Sequence, residues 1–203
     1  MALLMVHLLA ARRFAQRQTQ YLEDADYYLG AISPDAIHVR DHDDKSHKNE
    51  IHLNNWQSPH PEDVLAYWRT HRSAFDIGYG VHVLTDGQWV QTYRRLFPQI
   101  LRPDGKVDVP RYYADTFATD FELYRLPVCR HMIDLFEQGT APADHPLLTF
   151  EEIDTWKRMM VDSYRGDDKR REPAVYLNRA FVDAFIEDCQ ALIDETYARI
   201  GEE

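Results

Sequence analysis

Apolar residues recur every three to four positions along most of this 203-residue chain, whereas strict alternation of apolar and polar residues is nearly absent. The first spacing puts apolar side chains on one face of a helix, and the second is the pattern of half-buried strands. With 44% apolar residues, the chain is long enough to bury one core. We therefore predict an all-α, single-domain bundle of several helices, the first running from Leu3 to about Ala15.

A polar stretch, "AISPDAIHVRDHDDKSHKNEIHLNNWQSPHP", interrupts the helical pattern at residues 31–61. Pro34 disfavours helix immediately before it. Loops longer than about 12–15 residues in a compact domain are usually functional or disordered. Four histidines lie within fifteen residues of this stretch: His38, His42, His47 and His52. Because it carries so many potential metal ligands, we interpret the stretch as a functional loop.

A second polar feature lies inside the apolar pattern of residues 78–90, "GYGVHVLTDGQWV", where His82 and Asp86 stand four positions apart. At that spacing the two side chains share one face of a helix, with their roots about 6 Å apart. One interpretation is a core histidine hydrogen-bonded by the carboxylate. The other is a pair of metal ligands, which the apolar neighbours favour because a buried carboxylate needs a counter-charge that a metal would supply.

Three glycines, Gly78, Gly80 and Gly87, lie in the same predicted helix, which extends from about Phe75 to Leu96. Glycine costs up to about 1 kcal/mol in a helix interior. That cost argues for a packing reason. We predict that the missing side chains let neighbouring helices or the ligand-bearing loop approach this helix closely.

Other candidate ligands are dispersed along the chain. Asp35 follows Pro34 and is either a rigidly placed ligand or an aspartate that bonds its own turn. His52, between two apolar residues in "EIHL", is favoured as the buried loop histidine over His47, which is flanked by lysines in "KSHK". His7 lies among apolar residues of the first helix. Its usual role there would be a hydrogen-bonded core histidine, unless the other ligands meet at the same place.

The net charge of −11 argues against binding to duplex DNA or to anionic membranes. A ligand that carries phosphate would need a local cation, either a basic cluster or a metal. No stretch approaches the roughly 20 apolar residues of a membrane span, so we expect no stable membrane anchor. Cys129 and Cys189 fall at apolar helical positions and are expected to be free thiols. These features predict a cytoplasmic protein; the sequence leaves its oligomeric state open.

Few sequence motifs point to a particular nucleophile or cofactor. The chain contains no GxSxG, no glycine-rich phosphate loop and no HExxH. His42 and Asp43 form an adjacent pair such as HD-type phosphohydrolases use on a helix. Here the pair lies in "RDHDDK", which lacks helical periodicity, so an HD-type nucleotide phosphohydrolase is kept as an alternative.

Taken in order, "HLLAARRF", "YYLGAISPDAIH", "FDIGYGVHVLTDGQWV" and "FVDAFIEDC" resemble the zinc-dependent phospholipase C family, which is related to the fungal single-strand nucleases. The resemblance covers the first half well and the second half by helical pattern. It implies a zinc site formed by Asp35, His52 or His47, His82 and Asp86, and a neighbouring metal held by His7 with Asp86. Those enzymes also carry an HxxxE pair, which this sequence lacks.

The ligand types and the resemblance together predict a metal-dependent hydrolase of small phosphate mono- or diesters. Nitrogen and oxygen ligands without a thiolate suit one or two zinc ions, with manganese or iron as substitutes. Asp35 is the expected residue to orient the attacking water, and Asp86 the carboxylate shared between two ions. The alternative from another class is a non-catalytic helical metal-binding protein on the same scaffold.

Overall fold

The structure is a computed structural model that describes residues 3–42, 44, 46–166 and 171–201. Within that part of the chain 71% is helical and no strand is formed, which confirms the predicted all-α bundle. The helices are α1 (Leu4–Ala15), α2 (Ala25–Gly30), α3 (Ile37–Asp41), α4 (Lys48–Ile51), α5 (Pro61–Thr70), α6 (Ala74–Leu96), α7 (Val109–Tyr124), α8 (Pro127–Gln138), α9 (Phe150–Arg165) and α10 (Arg179–Ala198). No described helix combines the length and the apolar character needed to cross a bilayer.

Helix α6 runs through the centre of the bundle. It starts with a capping box in which Ser73 and Asp76 bond each other's backbone N–H groups. Its buried side chains lie on all faces of the helix, as expected of a helix that is apolar around its whole circumference. Helices α1, α2, α5 and α10 pack against it. The His82 and Asp86 face is therefore inside the protein.

Two glycines of α6 mark where other segments touch its backbone. A Cβ at Gly78 would clash with the carbonyl oxygen of Tyr27 on α2, and one at Gly87 would lie 2.5 Å from the backbone of Ser58 and Pro59. No side chain larger than hydrogen fits at either position. The predicted close approach is confirmed for both a helix and the polar segment.

The polar segment at residues 31–61 has more regular structure than a loop. It contains a 3-10 turn, Ser33–Ala36, and the short helices α3 and α4. Buried Ile37 and Ile51 tie these helices to the core. At the end of α3, His42 adopts a positive φ of 50°, which is uncommon for a residue with a side chain.

The apolar spacing of residues 174–200 predicts a last helix that starts at Ala174, whereas α10 begins at Arg179. The carboxylate of Asp115 accepts the backbone N–H groups of residues 175–177, so these groups are bonded without a helix. Asn178 then caps α10 through the backbone N–H of Phe181. A tertiary contact, invisible to local periodicity, therefore fixes this boundary.

Thr149 and Glu152 have the spacing that predicts a capping box, and they form one at the start of α9. Glu152 also accepts hydrogen bonds from the guanidinium of Arg40 on α3, at 2.6 and 2.9 Å. This bidentate pair joins α3 to α9, and so fixes the wall of the cavity described below.

Candidate metal centre

Four side chains from three separate elements meet beside α6. Asp35 lies in the 3-10 turn, and His52 is the residue that follows α4. His82 and Asp86 lie one turn apart on α6. All four are buried, and one ligand atom from each lies within 4.8 Å of all the others. This group could hold a metal ion.

The distances between the facing atoms match the size of a metal shell. Asp35 Oδ1 lies 3.8 Å from His52 Nε2 and 3.9 Å from His82 Nε2. Asp86 Oδ2 lies 3.5 Å from His52 Nε2. Four ligands at about 2.1 Å from a tetrahedral ion are about 3.4 Å from one another. The gap between these atoms is therefore close to what one ion requires.

Three of the facing atoms are buried and accept or donate no hydrogen bond among the described residues: Asp35 Oδ1, His52 Nε2 and His82 Nε2. Each such atom costs about 1–3 kcal/mol in lost solvation. No hydrogen bond joins His82 Nε2 to Asp86, so the interpretation of His82 as a core histidine hydrogen-bonded by the Asp86 carboxylate does not describe this site. A shared cation would satisfy all three atoms.

The opposite ring nitrogens of the two histidines are held by backbone carbonyls. His82 Nδ1 lies 2.9 Å from the carbonyl oxygen of Ala31, and His52 Nδ1 lies 3.1 Å from that of Lys48. A carbonyl can only accept, so each Nδ1 carries the proton and each Nε2 presents a lone pair. Metal-binding histidines are commonly oriented in this way.

Burial lowers the pKa of both histidines, that of His82 well below its usual value. Both imidazoles are therefore neutral near pH 7, as coordination requires. Burial opposes ionisation of Asp35 and Asp86, but the nearby ammonium of Lys48 helps hold the pKa of each carboxyl below its usual value. Two anions and two neutral imidazoles result.

Lys48 is the residue that sequence reasoning missed. Its side chain is buried, with Nζ 3.6 Å from Asp35 Oδ1 and 3.6 Å from Asp86 Oδ2. From the sequence, a metal is the expected counter-charge of the carboxylates, and the lysines around His47 are expected to be polar surroundings. One signal was available: Lys48 stands four positions before His52, a spacing that puts the first residue of α4 and the residue that ends it on the same side of the helix axis.

The two remaining candidate ligands differ in position. His7 is buried on α1, with Nε2 3.4 Å from Asp86 Oδ1 and its ring stacked on that of His82 at 3.8 Å. His47 is 50% exposed, and its Nδ1 lies 2.9 Å from Asp41 Oδ1. Of the two loop histidines, the structure brings His52 to the centre and leaves His47 at the surface.

The alternative pair, His42 and Asp43, receives no support from the described residues. His42 is exposed, with its carbonyl oxygen 3.1 Å from His38 Nδ1. Asp43 lies outside the described residues. The described ligand group therefore forms without the adjacent His-Asp pair.

A cavity of about 830 Å³ opens beside the metal centre, with His7 and Asp35 in its wall. Its other walls come mainly from apolar and aromatic side chains of α7 and α9: Tyr113, Phe117, Trp156, Met159 and Met160. The cavity is thus large enough for a small molecule with an apolar group. In comparisons with protein-family models, curated proteins and solved structures, nothing matches this chain.

Proposed function

We propose that this chain is a metal-dependent hydrolase of phosphate mono- or diesters, similar in chemistry to the zinc-dependent phospholipase C family that its motifs resemble. The observation that carries the proposal is the convergence of three buried atoms, on Asp35, His52 and His82, that have no hydrogen bond among the described residues, with Asp35 also in the wall of a cavity. Two imidazoles and two carboxylates suit zinc, with manganese or iron as substitutes.

The cavity supports catalysis because it makes the centre accessible to a substrate. Asp35 belongs both to the ligand group and to the cavity wall. A phosphate in the cavity would therefore lie against the same face as the ion. In a protein with a net charge of −11, that cation would also offset the repulsion of a phosphate.

In this proposal the residues divide the chemistry among them. A bound divalent ion would lower the pKa of a water ligand and neutralise charge on phosphorus-bound oxygens. His52 and His82 present neutral lone pairs to it, fixed by their Nδ1 bonds. Asp35 accepts a hydrogen bond from the attacking water through the oxygen that does not ligate, and so orients the water toward the cavity.

The geometry around Asp86 supports a second ion in the same proposal. Its Oδ2 faces His52 at 3.5 Å, while its Oδ1 faces His7 at 3.4 Å. Both ring nitrogens of His7 are buried without a hydrogen bond among the described residues. His7 and Asp86 would hold a second ion beside the first, and two ions there would stabilise both the attacking and the leaving oxygen of an in-line displacement.

The first experiment measures metal and activity on one preparation. The protein is purified without added metal, its zinc content is measured by elemental analysis, and nitrophenyl phosphate mono- and diesters are then assayed with zinc or manganese. Since such sites bind zinc tightly, we expect about one zinc or more per chain. Less than about 0.3 zinc per chain, combined with no gain from added metal, would refute the proposal.

The second experiment tests the cavity separately from the ligands. Phe117, 42% exposed, lines the cavity, whereas Phe150, 43% exposed, lies outside it at the start of α9. Phe117→Glu adds a negative charge beside the substrate, so we expect the KM for a phosphodiester to rise about tenfold with metal content unchanged. Phe150→Glu should leave both unchanged. Equal KM values in the two variants would rule out this cavity as the substrate site.

A second candidate function is non-catalytic metal binding. One observation favours it: Asp35, His52, His82 and Asp86 complete a four-ligand shell, which is typical of structural zinc sites. Full zinc occupancy with no hydrolysis of any phosphoester in the panel would support this candidate. The HD-type alternative instead requires that His42→Ala abolishes metal binding and that His7→Ala leaves it intact.

A further inference from the structure

Lys48 has two separate contacts with the metal centre. Its backbone carbonyl accepts from His52 Nδ1 and so helps to orient that imidazole. Its ammonium lies 3.6 Å from one oxygen each of Asp35 and Asp86, the same two oxygens that face the histidines. Charge-assisted N–H···O bonds measure about 2.7–2.9 Å. The ammonium therefore stands back from these two oxygens, on the border of the space that an ion would fill.

The charge of the site depends directly on this residue. With both histidines neutral, the two carboxylates and the one ammonium leave a single negative charge in the buried centre. A divalent cation bound there would bring the total to one positive charge, whereas without Lys48 it would bring the total to zero. A buried ammonium beside an incoming cation repels it at close range, in surroundings that screen charge poorly.

We propose that Lys48 is the resident counter-ion of the metal centre: it offsets one of the two negative charges of Asp35 and Asp86 before a divalent cation arrives, and it weakens the binding of that cation. This inference rests on the metal site of the proposed function and not on phosphoester hydrolysis. Lys48 acts here as a positioning residue, through the carboxylates, and it is absent from the cavity wall next to Asp35.

The proposal predicts two effects of opposite sign. Lys48→Met keeps the backbone carbonyl that orients His52 and removes the ammonium. The metal-free protein then carries two buried carboxylates without this cation, so its Tm should fall. Its affinity for zinc should rise, roughly 10- to 100-fold, the range that neighbours of metal ligands usually control. A lysine with a purely structural role would weaken both properties together.

The test measures zinc Kd by competition with a chromophoric chelator, and Tm with and without saturating zinc. Lys106→Met is the matched control, because Lys106 is exposed and lies between α6 and α7, outside the elements that carry the four candidate ligands. Lys48→Arg should retain binding close to that of the wild type, since it keeps the charge. If Lys48→Met fails to fold without metal, Lys48→Gln is measured in the same way.

The results separate this inference from the proposed function. Unchanged or weaker zinc affinity in both Lys48→Met and Lys48→Gln would overturn the role of Lys48, even if the wild type is a zinc-bound phosphoesterase. Tighter binding in these variants would support it, even if no phosphoester is hydrolysed. Zinc binding by neither the wild type nor the variants would overturn both the inference and the metal site on which it rests.

Discussion

Two polar clusters of this protein, one buried and one partly buried, use similar residues in different ways. The metal centre gathers Asp35, His52, His82 and Asp86 beside α6. The second cluster, which we call the Tyr67 cluster, consists of Tyr67, Asp76 and His145. Its Tyr67 hydroxyl donates to Asp76 Oδ1 at 2.7 Å and lies 3.0 Å from His145 Nε2.

The Tyr67 cluster completes its own hydrogen bonds. His145 Nδ1 accepts the backbone N–H groups of Leu147 and Leu148, which leaves Nε2 to donate to Tyr67. Asp76 Oδ2 accepts from the backbone and the hydroxyl of Ser73. In the metal centre, by contrast, the facing atoms of Asp35, His52 and His82 have no hydrogen-bond partner in the part of the chain that the structure describes. Both clusters contain aspartate and histidine, so residue type alone does not distinguish a candidate ligand site. The distinguishing feature of the metal centre is that its unsatisfied atoms face one another.

The largest expected effect comes from removing one histidine from each cluster. His82→Ala deletes one of the four proposed metal ligands, so zinc affinity should fall more than about 100-fold, beyond what loss of a neighbouring group costs. His145→Ala should leave zinc affinity unchanged, because the ring nitrogens of His145 bond Tyr67 and the backbone of Leu147 and Leu148 and do not face the metal centre. Chelator competition measures both. Equal losses in the two variants would remove the distinction between the clusters.

Metal removal should affect the whole protein. Zinc at 1,000 times its Kd stabilises the folded state by about 4 kcal/mol. For a chain of this size that corresponds to a rise in Tm of about 10 °C over the chelator-treated protein. Differential scanning calorimetry measures it. In His82→Ala the zinc-dependent rise should be lost, whereas His145→Ala should keep it; a Tm insensitive to zinc in the wild type would contradict the assignment.

Gly78→Ala tests how the fold builds the metal centre. An added Cβ would clash with the carbonyl of Tyr27 and push α2 away from α6. Overpacking of this kind costs about 1–3 kcal/mol in the free energy of unfolding. The same shift should lengthen the bond between His82 Nδ1 and Ala31, so zinc affinity should also fall. Gly201→Ala, with nothing near its Cβ, is the control in urea unfolding and zinc titration.

The smallest effect concerns pH and the Tyr67 cluster. Burial lowers the pKa of His145 to about 4, against about 6.5 in an unfolded chain. Between these values the unfolded state binds a proton that the folded state does not, so stability falls as pH drops below 6.5. Between pH 7.5 and pH 5 the loss is on the order of 2 kcal/mol.

His145→Gln should remove that part of the pH dependence, which urea unfolding of both proteins at each pH will measure. Burial also raises the pKa of Asp120 to about 7, which has the opposite effect on stability. Because Asp120 is present in both proteins, its contribution cancels in the difference. An identical pH dependence in wild type and variant would show that His145 titrates as in an unfolded chain.

Sequence periodicity is sufficient for the helical class and for the central helix. The run from Phe75 to Leu96 is apolar with glycines at contact points, and α6 follows it almost residue for residue. The start of α10 is not predictable in this way, since Asp115 binds the preceding backbone from another helix. Local patterns report local preference, and they carry no information about a side chain 60 residues away.

In the metal centre too, local sequence patterns predict some residues and not others. His82 and Asp86 are predictable because four-residue spacing on one helix fixes their geometry. His52 was favoured over His47 by its apolar neighbours, and the structure agrees. Lys48 was missed because a lysine in a polar segment is usually solvated. Only the three-dimensional path of α4 puts its ammonium between two carboxylates.

The dispersed origin of the ligands has a consequence for folding kinetics. Asp35, His52 and His82 belong to separate elements that meet only after α2 and the polar segment dock on α6. We therefore expect the complete shell to form only after the transition state for folding. Zinc should slow unfolding strongly and leave the folding rate nearly unchanged, as stabilising contacts absent from the transition state do. The bound ion would thus add kinetic stability to a chain that has already folded.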